Sequence, residues 1–413
     1  MVCKEVIPIA RKAKRDLTLE EQLAHGPLDL PFLMLVLLLV GIGLVMLFSA
    51  SYATAYYDYR TGNDPLFYFE KQAKFAIGGL IGMYIITKIN YQTFRALSFL
   101  LLGGSIFLLI LVLTPFGVNI NGAQRWLKLF IVAGPTYQPS EIAKVAVIIF
   151  FAARLCKRDT EKQKRFTKRT STGRMLNWLE KIGFLELVPY GLVLGTVLLL
   201  VLLERHMSGT ILVMVGAASV LFISGIRLGW FVGLGSAVAA ALVFVMFNTS
   251  YMTARINLWL DPWSDPRGNG YQTIQSLLSI ASGGFLGKGL GNSIQKFDFL
   301  PEPENDMIFS IVVEELGLLG GGLVLLLFAL LILRGYWLAL HARDKFGTLT
   351  IVGIITLLAT QVFLNIGVVT NLIPNTGISL PFFSYGGTAL MIQLAQMGII
   401  LSISRQIPAP KKD

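Results

Sequence analysis

The stretch Leu300–Arg334 reads LPEPENDMIFSIVVEELGLLGGGLVLLLFALLILR. Beyond Asp306 it is apolar for longer than the roughly 20 residues that a helix needs to cross a bilayer. Yet it opens on an acidic, proline-containing run (Glu302, Glu304, Asp306) and carries Glu314 and Glu315 within its apolar part. At 1.5 Å per residue the glutamate pair lies roughly 12 Å beyond Asp306. An unpaired charge at that depth is costly, so at least one glutamate requires a basic partner or a polar cavity. Lys144 is the candidate partner, and structural pairing is the favoured role of Glu314 and Glu315.

The rest of the chain extends this pattern. Of 413 residues, 54% are apolar and only 14% charged, where a soluble domain carries about a quarter charged residues. Apolar runs recur near 30–54, 67–87, 96–116, 139–156, 187–203, 208–226, 229–247, 306–334, 347–373 and 382–404. The reading is an all-α polytopic membrane protein of about ten transmembrane helices, with a large extracytoplasmic loop between helices 7 and 8. No repeat of fixed period stands out.

The net charge is +11. Ten spans return both termini to one side, and most lysines and arginines gather there. They lie in the basic tail 1–28, in the loop 154–185 with its run Arg154–Lys181, in the tail 406–413, and at Lys88, Arg95, Arg227, Arg334, Arg343, Lys345 and Arg405. That side is the cytoplasm by the positive-inside rule. The segment 1–28 has no apolar core ahead of a small-residue cleavage site, so it reads as a cytoplasmic tail rather than a signal peptide. Between the tails, 29–405 forms one transmembrane domain. The basic excess serves as a topology determinant beside anionic lipid, and no nucleic-acid partner is expected. Cys3 and Cys156 cannot form a disulfide scaffold, and His25, His206 and His341 show no ligand spacing. No metal site is assigned and no cofactor is required, although an oxygen-ligated divalent cation is compatible with the sequence.

The extracytoplasmic loops, 116–138 and 248–305, are long enough to be functional. Gln138 and Pro139 read as a helix start, which puts Glu141 in the first turn and Lys144 on the same face. Two readings of Glu141 stand level: a structural pair with Lys144, or part of a site. For Lys144 function is favoured, because a phosphate-bearing lipid would need a cation at that depth. Arg125 beside Trp126 is either an interfacial cation with a belt aromatic or a guanidinium fork on a phosphate. In the second loop GGFLGKGLG resembles a phosphate cradle, but no strand precedes it and that reading fails. Trp259 and Trp263 are expected as interface anchors. Asp306 is the pivot. Composition favours an N-cap, which would hold its pKa down and blunt it as a base unless burial acts the other way. The segment NTGISLPFFSYGGTALM, from Asn375 to Met391, reads on its residues alone as a helix-packing junction.

Five of these segments, in order, resemble signatures of the SEDS family (shape, elongation, division and sporulation): GAQRWLKL with QPSEIAK, LDPWSDPRGNGYQTIQSLLSIASGG, GLGNSIQKFDFLPEPENDMIF, VEELGLLGG and NTGISLPFFSYGGTALM. The resemblance runs from about Leu30 to Arg405, and GIGLVMLFSASYATAY in the first span leans toward the FtsW/SpoVE branch. It implies ten transmembrane helices and a peptidoglycan glycosyltransferase that polymerises lipid II at the outer face of the bacterial cytoplasmic membrane. It maps the family's essential loop aspartate onto Asp306, its loop arginine onto Arg125 and its fourth-helix lysine onto Lys144. Trp126 and Glu141 follow as neighbours of these in the motifs. Lys288 and Lys296 of the large loop are assigned to the lipid II pyrophosphate and sugar with them. The implied partners are lipid II, a class B penicillin-binding protein transpeptidase, other divisome or elongasome membrane proteins, and membrane lipid. A lipid II flippase and a non-catalytic scaffold for a transpeptidase are the alternatives. The chain departs from the family at NDM, where Thr-Asp-Phe is usual. It departs again at ERHMSGT, where an acidic Pro-Asp is usual, and His206 is given no role.

Overall fold

The computed structural model describes residues 26–120, 123–128, 136–157, 184–226, 229–233, 236, 256–268, 270–297 and 299–407. The chain is an all-α polytopic membrane protein. Among the described residues, four helices are long and apolar enough to cross a membrane: α1 (Leu30–Tyr57), α9 (Ile308–His341), α10 (Lys345–Val369) and α11 (Gly387–Ser404). Between them come α2 (Phe67–Lys88), α3 (Tyr91–Ala96), α4 (Ser98–Val112), α5 (Pro139–Leu155), α6 (Phe184–Leu203), α7 (Met207–Ile223) and α8 (Tyr271–Gly283). Most of the expected span 229–247 lies outside the described residues, as do 1–25, 158–183 and 408–413.

Several boundaries follow from local chemistry. Asp29 caps α1 by accepting from Phe32 N at 2.9 Å, and Pro31 occupies the first turn, where its missing N–H costs nothing. The expected span 382–404 begins later, at Gly387, because Phe382 turns into the left-handed region (φ 66°). The expected span 96–116 yields only α4, since the chain leaves it for a three-stranded antiparallel sheet. There β2 (Ala123–Lys128) pairs with β1 (Gly117–Ile120) and β3 (Thr136–Tyr137). Trp259, expected as an interface anchor, instead donates its indole N–H to Asn371 O, and Asn371 Nδ2 donates to Trp259 O, both at 3.1 Å. This exchange ties the large loop to the end of α10.

The buried helix α5 sits among α4, α7 and α10, while α11 packs along α2 and α9 packs against α1, α8 and α10. Helix α9 is broken at Gly317, whose φ of 70° and ψ of −175° interrupt the ladder. Broken backbone needs partners where water is absent, and the segment after α8 supplies them. Lys288 N donates to Glu314 O at 3.0 Å and Gly289 N to Glu315 O at 2.9 Å. In return Leu318 N donates to Gly284 O at 2.9 Å. A Cβ at Gly317 would collide with Gly287 N, and one at Gly287 with Glu315 O, so both positions exclude a side chain. Gly317→Ala is therefore expected to lose at least the roughly 1–2 kcal/mol of the left-handed backbone, read as a lower melting temperature in detergent. Unchanged melting would remove the break as a structural requirement.

Candidate active site

Two polar clusters and one buried ion-pair network lie among these helices. The first cluster gathers at the start of α5. Lys144, only 2% exposed, donates to Glu141 at 2.8 Å. One turn toward the loop, Ser140 Oγ and Gln138 Nε2 lie 3.2 Å and 3.4 Å from His206 Nδ1. Arg125 in β2 donates from Nε to Glu204 O at 3.4 Å and from its terminal nitrogen to Arg205 O. Its guanidinium is thus held by neutral carbonyls. Burial lowers its pKa, opposed by the charge of Glu204. The carboxyl group of Glu204 is 1% exposed and has no hydrogen-bond partner. Burial pushes it up to about 8 against the pull of Arg125, so it is largely neutral at pH 7. His206 is pushed down to about 3 by burial and by the charges of Lys144 and Arg125. Among the described residues Arg125 makes no ion pair, and its hydrogen bonds go to the carbonyls of residues 204 and 205. Trp126 follows in β2, opposite Val118, and neighbouring residues in a strand face opposite sides.

The second cluster surrounds Asp306. The cap expected of Asn305 or Asp306 is absent: the residue before α9 is Met307, and no side chain caps the helix. Asp306 Oδ1 is buried without a partner. Burial pushes its pKa up to about 6, its own backbone N–H opposes this, and Glu302 adds to it. The shift is the reverse of what a cap would give, because the carboxyl loses water without gaining the helix N–H groups. Buried Asn365 in α10 donates to both Asp306 O and Ile378 O at 2.7 Å. A Cβ on Gly377 would lie 3.9 Å from Asp306 Oδ2. The same loop reaches the first cluster, since Ser208, two residues from His206, donates to Thr376 O. The segment read as a packing junction is thus the wall shared by Asp306 and the His206 turn.

The network at the α9 break corrects two expectations. Glu314 pairs with Lys288 at 2.6 Å and Glu315 with Lys296 at 3.0 Å; neither meets Lys144, which is taken by Glu141. Ser49 Oγ donates to Glu315 at 2.7 Å, and Ser279, Ser282 and Ser293 donate to Glu314. Lys288 and Lys296, assigned to substrate on the sequence, are here consumed in neutralising carboxylates, and Lys296 is 3% exposed. In a low-dielectric interior the ammonium brought to the carboxylate by the helix break is held there. Glu204 and Glu304 carry no role in the sequence reading. Their signal was available: acidic residues in an otherwise apolar chain, close to the motifs.

Residues 30–408 match a family model described as "Cell cycle protein", that of FtsW, RodA and SpoVE. The chain belongs to the FtsW/RodA/SpoVE family. Among family members it is 42% identical over 379 residues to "Stage V sporulation protein E" of Bacillus subtilis (strain 168), covering 91% of this chain and 97% of that one. It is 38% identical over 381 residues to "Probable peptidoglycan glycosyltransferase FtsW" of Geobacter sp. (strain M18), covering 92% and 97%. The fold is similar to a chain solved in work described as "Structural coordination of polymerization and crosslinking by a peptidoglycan synthase complex" (TM-score 0.70, 30% identity, 94% and 99% covered). It also matches the rod shape determining protein RodA of Thermus thermophilus (TM-score 0.62, 26% identity, 93% and 98% covered). No group of three or more His, Cys, Asp or Glu suited to a metal ion occurs among the described residues.

Replacing Lys296 by Met should strip Glu315 of its partner and cost roughly 3–5 kcal/mol, seen as loss of folded protein in detergent. Adding Glu315→Gln should restore much of that stability. A Lys296→Met protein that melts like wild type would return Lys296 to a binding role.

Proposed function

We infer that this chain is a peptidoglycan glycosyltransferase that polymerises lipid II into glycan strands at the outer face of the cytoplasmic membrane. The observation that carries the reading is Asp306, a carboxylate outside the spanning part of α9, uncapped and with an unpartnered oxygen. Family membership and the relatives' activity support it, and the identities favour the FtsW/SpoVE branch.

Chain growth requires a sugar hydroxyl to lose its proton as it attacks an anomeric carbon whose pyrophosphate departs. With a pKa of about 6, Asp306 is largely ionised at neutral pH, yet takes a proton more readily than an ordinary aspartate near 3.9. It is assigned as the base that accepts the proton of the acceptor's 4-hydroxyl. Arg125 is assigned to the departing pyrophosphate, because its guanidinium rests on carbonyls that an oxyanion can replace. Lys144 is assigned to the same anion, its ammonium held in place by Glu141, and Trp126, next in β2, is assigned to the sugar from the other face of the strand. The donor is already activated, so no nucleotide is needed outside the cell. The basic tails support the assignment of both termini to the cytoplasm. A class B penicillin-binding protein transpeptidase is the assigned partner, supported by the likeness to a chain from a peptidoglycan synthase complex.

Purified protein with lipid II and such a transpeptidase should make glycan polymer in detergent, where there is no membrane to flip across. The rate should rise with pH through about 6 as Asp306 ionises, since only the ionised form accepts a proton. Absence of polymer together with lipid II crossing liposomes would replace the polymerase reading by a flippase.

A further inference from the structure

The chain leaving α10 folds back onto that helix. Leu372 N and Ile373 N donate to Gly367 O at 2.7 Å and 3.1 Å, and Ile378 O reaches Asn365, which is fully buried in α10. Asn365 Nδ2 donates to Ile378 O and to Asp306 O, each at 2.7 Å. Both neighbours are carbonyl oxygens, which only accept, so the amide has one productive orientation, with nitrogen toward them and Oδ1 away. That Oδ1 is buried without a partner. The amide thus uses both N–H groups to join the Asp306 turn to Ile378, and leaves its own oxygen unsatisfied in doing so.

The same loop is tied at a second point. Ser208, near the start of α7, donates to Thr376 O. Between the two ties lies Gly377, whose φ of 65° bends the chain in the left-handed region. A Cβ there would stand 3.9 Å from Asp306 Oδ2, so Gly377 brings bare backbone up to the carboxylate. On the other side, Ser208 closely follows residues 204 and 205, whose carbonyls hold the Arg125 guanidinium. A continuous route therefore runs from Asp306 through Asn365, residues 376–378 and Ser208 to the turn that carries Arg125. Two side-chain ties and short lengths of main chain make it up. Among the described residues no ion pair joins Asp306 to Arg125 directly.

Resting on the reading of Asp306 as the proton acceptor, we propose that Asn365 is a positioning residue for polymerisation. With Ser208 it holds residues 376–378 as a strap that sets the spacing between the Asp306 carboxylate and the Arg125 guanidinium. The two groups act on different atoms of one step. The attacking hydroxyl oxygen forms its bond to the anomeric carbon and gives its proton to Asp306. The bond from that carbon to the pyrophosphate breaks, and the departing oxygen keeps the electron pair and meets Arg125. The spacing of the two side chains must match the spacing of those atoms, and a misplacement of about 1 Å can cost on the order of 10²-fold in rate. Asp306 stands on a turn ahead of α9 and Arg125 on a β-strand, so the strap supplies the register between them.

The test is steady-state polymerisation of lipid II by the full chain in detergent, with rates taken per folded molecule. Asn365→Leu keeps the bulk and removes both hydrogen bonds, so kcat should fall roughly 10²-fold. The lipid II concentration at half-maximal rate should stay within about twofold, because Arg125, Trp126 and Lys144 are untouched. Ser208→Ala releases the other end of the strap and should lower kcat by roughly 3- to 10-fold, the scale of one hydrogen bond. Both changes act on one strap, so the double variant should lose much less than the product of the single losses. A merely structural Asn365 would lower the melting temperature and leave kcat per folded molecule unmoved. Wild-type kcat in either variant overturns the proposal while the polymerase reading stands. A raised half-saturation at unchanged kcat, or losses that multiply in the double variant, overturn it as well. Should Asn365→Leu give no folded protein, the kcat of Ser208→Ala decides alone. Absence of polymer from wild type sinks the polymerase reading itself.

Discussion

The polar arrangement of this protein depends on the pairing of Glu314 and Glu315 with Lys288 and Lys296 at the break in α9. Charge and interrupted backbone are both costly where water is excluded, and here each solves the other's problem. The break at Gly317 admits the segment 284–289, whose N–H groups meet the exposed carbonyls. The same segment brings Lys288 to Glu314, and its continuation brings Lys296 to Glu315. Losing one partner of a buried pair costs roughly 3–5 kcal/mol, a large part of a typical stability of about 5–15 kcal/mol. The stretch of α9 between the break and Asp306 is therefore anchored at its deep end by ion pairs. Asn365 anchors it at the shallow end.

That anchoring leaves the site's remaining charges free of structural duty to different degrees. Lys144 is paired with Glu141, so it is a fixed group whose charge is balanced by its partner rather than a loose arm. Arg125 is held only by the carbonyls of residues 204 and 205, which an incoming phosphate can displace. Asp306 retains a buried oxygen with no partner, the opposite of the satisfied glutamates deeper in the helix. The segment 375–386 joins these parts through Thr376, Gly377 and Ile378.

Much of this was legible in the sequence because membrane helices are specified by composition and length. The spans of α1, α2, α5, α6, α7 and α10 were read within a few residues, whereas α9 runs on to His341, past the expected end at 334. The family motifs single out Asp306, Arg125 and Lys144. The partner of Glu314 and Glu315 was not legible. Lys144 lies at a plausible depth, but the true partners sit in a loop that folds back onto α9 only because two glycines permit backbone contact. The cap expected at Asp306 failed for a related reason: the turn before α9 spends its hydrogen bonds on Asn365 and on Tyr385, a long-range choice that propensity does not contain. The burial of Glu304 was not legible either, because it lies against Tyr385, which is remote in sequence.

The most direct measurement is the rate of glycan polymerisation by purified Asp306→Asn beside Asp306→Glu, each first shown to melt like wild type. The account predicts a loss of roughly 10²–10⁴-fold for the amide, the range of a missing general base. It predicts partial activity for the longer carboxylate. An amide variant that polymerises lipid II at the wild-type rate would contradict it and leave Asp306 as a structural element of the turn.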